Sequence, residues 1–266
     1  MVGRGYPKVS GVLPVTLGFG TKAVGMLMLA DKEYVAIMQL HGGISSGRLG
    51  EVLEEFTGEI YQKPPVKASV KRALRVKKIY SIKVLEFKHP YVLMVVGCEH
   101  GTYIRKLIHD IGEVLGVGAH MRELRRTKTG PFREDDKLIT MHELSEAVYI
   151  YKELGDETQL MKYILPIEYA VSHMPKIMIS DGAVDALANG ADLAIPGIVK
   201  LHNNIGKGEK VAILSLKGEL VAIGKALMTS KEMMEVEKGY AVKNLRVVIQ
   251  PGTYPRMWGK HKPKHI

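Results

Sequence analysis

At Gly101 the apolar pattern of this chain changes period, and that switch constrains its architecture more than any other feature. Tyr91 to Cys98 is a short, almost wholly apolar run that reads as a buried strand. Beyond Gly101, Ile104, Leu107, Ile108, Ile111 and Leu115 recur at helical spacing until Gly116 offers a C-terminal cap. A strand running straight into an amphipathic helix buries both apolar surfaces only if the helix packs on a sheet. Two further stretches, from Glu33 to Leu40 and from Ile79 to Phe87, carry β-branched and aromatic residues at strand spacing and supply that sheet.

Downstream, Thr140 with Glu143 forms a capping box, and Met141, Leu144, Val148 and Tyr151 mark one face of the helix that follows. A second helical pattern is expected from Tyr163 to Val171. Past Pro175 the strands become short and are punctuated by Gly190, Gly197, Gly206, Gly208, Gly218 and Gly224, so a separate small β-rich domain is predicted. Within it Ser180 caps a brief helix ending before Gly190, and Lys217-Gly218 turns a hairpin between residues 211–216 and 220–227. The expected division is 1–173, 174–250 and a basic tail at 251–266.

Charge narrows the functional classes. The 266 residues hold 38 Lys and Arg against 28 Asp and Glu, a net charge of +10 that favours polyanions through phosphate contact and counterion release. Seven of these cations fall between Tyr61 and Tyr80 (Lys63, Lys67, Lys71, Arg72, Arg75, Lys77 and Lys78) with no acid among them. Such a block repels itself and is best tolerated where an external polyanion neutralises it. Arg122, Arg125, Arg126 and Lys128 form a second cluster, with Glu123 as its counter-charge. The one cysteine, Cys98, cannot form an intramolecular disulfide, which points to a reducing compartment and a cytoplasmic location. No apolar run approaches the roughly 20 residues that cross a bilayer, so a membrane is not an expected partner.

Several chemistries are not supported. Cys98, His100, His109 and His120 lack a zinc-like spacing, and no metal is expected. Gly18, Gly20 and Thr21-Lys22 lack the spacing of a phosphate loop and read as a turn, so no nucleotide cofactor is implied.

The run Cys98-Glu99-His100-Gly101-Thr102-Tyr103-Ile104-Arg105, followed in order by Asp110-Ile111-Gly112, Gly118-Ala119-His120 and Leu124-Arg125-Arg126-Thr127, closely resembles the TruB and dyskerin family of RNA pseudouridine synthases. Pro7 to Val15, Lys32-Glu33-Tyr34, and Pro64-Pro65 with Ser69-Val70-Lys71 match further family segments. Gly190-Ala191-Asp192-Leu193 with Pro196-Gly197, then Gly224, resembles the PUA domain of archaeal dyskerin-type members. The resemblance implies an α+β fold: a mixed-sheet synthase core, truncated at its start, followed by a small PUA β-barrel. It implies uridine-to-pseudouridine isomerisation without cofactor or metal, guided by H/ACA RNA or acting directly on the T loop of tRNA. Structured RNA (H/ACA guide, rRNA, tRNA) and H/ACA ribonucleoprotein core proteins are the implied partners; DNA is not.

The same resemblance assigns roles. Tyr34 stacks on the flipped uracil and assists proton removal, Arg105 pairs with the nucleophilic Asp, and Tyr103 and Leu124 help wall the pocket. Lys63, Lys67, Lys71, Arg72, Arg75, Arg125 and Arg126 are the expected RNA contacts of the core, and Gly190, Ala191 and Gly197 those of the PUA segment. One position departs from the pattern: the family's nucleophile precedes the Pro matching Pro7, and here that residue is Tyr6. Family members also begin several dozen residues earlier. The expectation is a reading frame that starts late or is interrupted, or else a non-catalytic RNA-binding paralogue.

Overall fold

The computed structural model describes residues 9–64, 73–135 and 138–255, which divide by their contacts into two units. The first comprises residues up to Val15 together with Gly25–Leu165. Its elements are β1 (Val9–Gly11), α1 (Val24–Leu29), β2 (Lys32–Leu40), α2 (Ser46–Glu55), β3 (Gly58–Gln62), β4 (Arg75–Lys88), β5 (Tyr91–Cys98), α3 (Ile104–Val114), β6 (Ala119–Thr129), β7 (Phe132–Arg133), α4 (Met141–Leu154) and α5 (Thr158–Tyr163). The sheet runs β1-β6-β2-β5-β4-β3, with β7 on β6; β1 lies parallel to β6 and the other pairs are antiparallel.

Alternation along the two central strands decides which face carries the helices. Ala36, Met38 and Leu40 of β2 and Val92, Met94, Val96 and Cys98 of β5 are buried on one face. Against them α3 lays Ile104, Leu107, Ile108 and Ile111, and α2 adds Leu49, Val52 and Leu53. The α3 helix sits so close to β6 that a Cβ on Gly112 would lie 2.2 Å from the Ala119 nitrogen. Glycine is the residue that lets this helix and strand meet.

Two local expectations change. No helix spans Tyr163 to Val171: α5 ends at Tyr163, and a 3₁₀ turn, Ile167–Val171, starts after Pro166. Proline has no N–H to continue the helix and pushes the residue before it toward extended backbone. On α4 the capping box is present, but Met141 and Tyr151 are exposed and the buried member of the helix is Ala147.

The second unit comprises Thr16–Val24 and the chain from Pro166 onward. It contains β8 (Lys176–Ile179), α6 (Asp181–Ala188), β9 (Leu193–Ala194), β10 (Ile198–Leu201), β11 (Lys210–Leu214), β12 (Leu220–Ala226), α7 (Ser230–Glu235) and β13 (Tyr240–Val247). Its six strands follow the order β10-β8-β11-β12-β13-β9, with β8 and β11 parallel, around Ile177, Ile179, Val211, Ile213, Val221 and Val242. The expected hairpin is β11–β12. Gly18–Ala23, expected as a turn, is a 3₁₀ helix whose Lys22 Nζ donates to the Val248 carbonyl at 2.8 Å. That bond ties a segment distant in sequence to this unit. Among the described residues, no helix is long and apolar enough to cross a membrane.

Candidate active site

The sheet face that carries the core continues, at the start of β2, into a cluster of polar side chains. In the β2–β6 ladder Tyr34 stands opposite Arg126, and Ala36 opposite Leu124. Residues directly opposite in an antiparallel pair share a face, so Tyr34, Leu124 and Arg126 present side chains to one side of the sheet. Tyr34 and Leu124 are half-buried and pack against the core. The Arg126 guanidinium lies near the Tyr34 phenol, and its Nε donates to the Val12 carbonyl at 2.7 Å. Burial, and next the nearby Cys98, raise the phenol's pKa against this pull from the guanidinium. Tyr34 therefore stays a neutral hydroxyl near pH 7.

Val12 returns the contact, its N–H donating to the Arg126 carbonyl at 2.8 Å. Gly11, at φ +100, makes this approach possible: a Cβ there would lie 2.1 Å from the Arg126 oxygen. These contacts fix Val9–Gly11 beside the Tyr34–Arg126 pair, three residues after position 6. Tyr6 itself, like Pro7 and Lys8, lies outside the described residues.

Lys32, two residues before Tyr34, crosses to the end of α1, where Nζ donates to the carbonyls of Leu27 (3.0 Å), Met28 (2.9 Å) and Ala30. Burial, then repulsion from Arg126, lower its pKa to about 8. The opposing effects of Asp31 and Cys98 are smaller. The Cys98 thiol is pushed up to about 12, mainly by burial, and is unreactive at neutral pH.

Tyr103 is the N-cap residue of α3, and Arg105 is exposed on the helix's first turn. The loop before them is organised by Thr102 Oγ1, which donates to the Glu99 carbonyl at 2.7 Å, and by Lys77, which donates to Glu99 Oε1 (3.1 Å) and to the His100 carbonyl (2.8 Å). Burial alone would raise the Glu99 pKa; Lys77 and the Lys78 N–H hold it below its ordinary value. Sequence reasoning missed Gln62, which is 2% exposed and bonds both ways to the Tyr103 backbone. A single buried polar residue inside a basic stretch leaves no periodic signal.

The expected RNA contacts do not all fall on one surface. Lys63 and Arg75 are exposed at the ends of β3 and β4, flanking the basic segment; Lys67, Lys71 and Arg72 lie outside the described residues. Arg125 is paired with Glu134 through Nε at 3.0 Å and through a second, shorter contact. Arg126 is half-buried opposite Tyr34 and bonded to Val12. Neighbouring strand residues point to opposite faces, which separates the two arginines.

In the second unit the three expected contacts have structural roles. Gly190, at φ +94, ends α6 by donating its N–H to the Leu187 carbonyl at 2.9 Å. The Ala191 carbonyl accepts from Asn244 Nδ2 at 3.1 Å. A Cβ on Gly197 would lie 2.9 Å from that of Ala183, so its missing side chain serves internal packing. The four soft-ligand candidates are also dispersed: His120 hydrogen-bonds His41 at 2.7 Å, and His109 stands beside Asp110. Among the described residues, no three His, Cys, Asp or Glu side chains form a metal-holding group.

With this geometry established, comparison with known proteins gives consistent matches along the chain. Residues 42–104 match the N-terminal domain of TruB family pseudouridylate synthases, 105–172 the C-terminal domain of tRNA pseudouridylate synthase B, and 175–248 the PUA domain. A probable tRNA pseudouridine synthase B from Pyrococcus furiosus is 55% identical over 254 residues, covering 96% of this chain and 75% of that protein. One from Methanosarcina barkeri is 51% identical over 254 residues, with the same coverages. Among solved structures, the Cbf5 chain of a Cbf5–Nop10–Gar1 complex superposes with a TM-score of 0.90 at 55% identity, over 94% of this chain and 76% of that one. An H/ACA ribonucleoprotein bound to a substrate RNA containing 2′-deoxyuridine gives 0.87 at 53% identity, over 95% and 76%.

Proposed function

Because this chain belongs to the TruB family of pseudouridylate synthases, whose lineage function is isomerisation of uridine to pseudouridine in RNA, we propose that it binds structured RNA and draws one uridine out of its stack into the Tyr34 pocket. The observation that carries this reading is the Tyr34–Arg126 pair, which sets an aromatic ring and a neutral hydroxyl beside Leu124 at the end of the sheet's core face. A base inside a duplex or stacked loop cannot be rebonded in place, so it must leave the stack first. The ring of Tyr34 offers the extruded uracil a stacking surface, and its neutral hydroxyl a hydrogen bond. Tyr103 and Leu124 wall the pocket. Arg105 supplies a permanent cation for an anionic group in the reaction.

RNA reaches the pocket through the basic segment between β3 and β4, flanked by Lys63 and Arg75, with the PUA unit as a second contact. By analogy with its structural neighbours, the chain assembles with H/ACA core proteins on a guide RNA, or acts on tRNA directly. We place this work in the cytoplasm, where the lone thiol of Cys98 stays reduced. In the family's chemistry an Asp attacks the nucleoside, the glycosidic bond breaks, and the uracil turns and rebonds through carbon. Tyr6 at the matching position favours a second reading, in which the chain captures RNA without turnover.

The test is fluorescence of a tRNA T-arm stem-loop carrying 2-aminopurine beside the loop uridine. Saturating protein should raise the emission as the uridine leaves the stack, and Tyr34→Ala should remove most of that rise. Binding without any rise would refute uridine capture, and tritium release from 5-tritiated uridine separates the two readings.

A further inference from the structure

We propose that Gln62 is a positioning residue that holds the Tyr103–Arg105 side of the base pocket. The inference rests on the uridine-capture reading above. Gln62 Nε2 donates to the Tyr103 carbonyl at 3.2 Å, and the Tyr103 N–H donates to Gln62 Oε1 at 3.0 Å. One amide thus grips both polar groups of a single backbone residue.

That residue is where α3 begins. Tyr103 makes no side-chain capping bond of its own, and its carbonyl already receives the Leu107 N–H at 2.9 Å. Ile104 and Leu107 seat the first turn, which carries Arg105, in the core, and with no side-chain cap the Tyr103 backbone ahead of it needs a partner from outside the helix. Gln62 supplies it from another element. It is 2% exposed, so water cannot replace either bond when the side chain is changed.

Gln62 is also the last residue of β3 and pairs with Arg75, the first residue of β4, so the amide that holds Tyr103 is itself anchored in the strand ladder. Asparagine is one methylene too short to make both bonds, and glutamate keeps the acceptor but loses the donor.

The experiment uses the full chain and the 2-aminopurine T-arm. Gln62→Leu should bind the RNA within about twofold of the unmodified protein, because phosphate contacts dominate affinity, yet lose most of the emission rise. Gln62→Glu keeps the shape and adds a pH readout. A carboxyl buried at this position has its pKa raised, so at pH 8 it is ionised and cannot donate to the Tyr103 carbonyl, whereas toward pH 5.5 it regains a proton and the donor. The emission rise of Gln62→Glu should therefore be small at pH 8 and recover toward pH 5.5, while that of the unmodified protein stays flat. A general packing role would not return base capture on acidification. A full rise in both variants at pH 8 overturns the inference alone, as does a loss in Gln62→Glu that acid does not reverse. No rise in the unmodified protein overturns the uridine-capture reading and this inference with it. Should Gln62→Leu fail to fold, the pH series of Gln62→Glu decides.

Discussion

Tyr34 and Arg126 face each other across the β2–β6 ladder, and the Arg126 guanidinium donates through Nε to the Val12 carbonyl. One side chain thus joins the start of β2 to the residue that follows β1. The planar guanidinium fixes the direction of that bond, which a lysine ammonium on a flexible stem does less well.

Arg126→Ala should therefore destabilise the fold as well as the pocket. It leaves the buried Val12 carbonyl without its side-chain donor, a loss of about 1–3 kcal/mol for an unsatisfied buried group. Urea unfolding should show a lower midpoint at unchanged m-value. A midpoint identical to that of the unmodified protein would mean that the bond to Val12 contributes nothing.

Lys32 gives the site a pH signature. Its pKa falls from 10.5 to about 8 on folding, chiefly through burial. Below about pH 8 the residue is charged in both states, and the folded chain bears the desolvation cost. Between about 8 and 10.5 the unfolded chain holds more protons, so the stability contributed by Lys32 rises with pH. The difference in urea midpoint between the unmodified protein and Lys32→Met should grow in favour of the unmodified protein from pH 7 to 9.5. Parallel curves would refute the lowered pKa.

What was legible in the sequence was whatever local pattern determines. The β5 bounds, the α3 helix closed by Gly116, the Thr140–Glu143 box and the β11–β12 hairpin all follow from periodicity and turn chemistry within about a dozen residues. The roles of Arg126 and Gln62 depend on partners far away in sequence: Val12 lies 114 residues from Arg126, and Tyr103 41 residues from Gln62. No spacing rule registers such pairs. Counting charge also placed Arg125 and Arg126 on one track, because composition ignores that strand alternation separates them and that Glu134 already pairs with Arg125. The assignment of Thr16–Val24 to the second unit was invisible for the same reason.

RNA affinity should be strongly salt-dependent. Lys71, Arg72 and Arg75 replaced together by Ala should flatten the plot of log affinity against log salt, by about 0.7–0.9 for each phosphate contact removed. A filter-binding series between low and physiological salt measures this directly. An unchanged slope would place the RNA away from the segment that joins β3 to β4.

The last expectation concerns turnover. Covalent attack on the nucleoside needs a carboxylate at the position held by Tyr6, whose phenol has an unperturbed pKa of about 10 and is mostly neutral near pH 7. Even as a phenolate, a tyrosine lacks the short reach and twin oxygens of an aspartate. The 266-residue chain should therefore bind its RNA and release no tritium from 5-tritiated uridine, either in tRNA or in a guide-paired substrate. On the uridine-capture reading, the absence of release should coexist with the 2-aminopurine signal. Clear release by the unmodified chain, abolished by Arg105→Ala, would show that another group performs the attack and would overturn the argument from Tyr6.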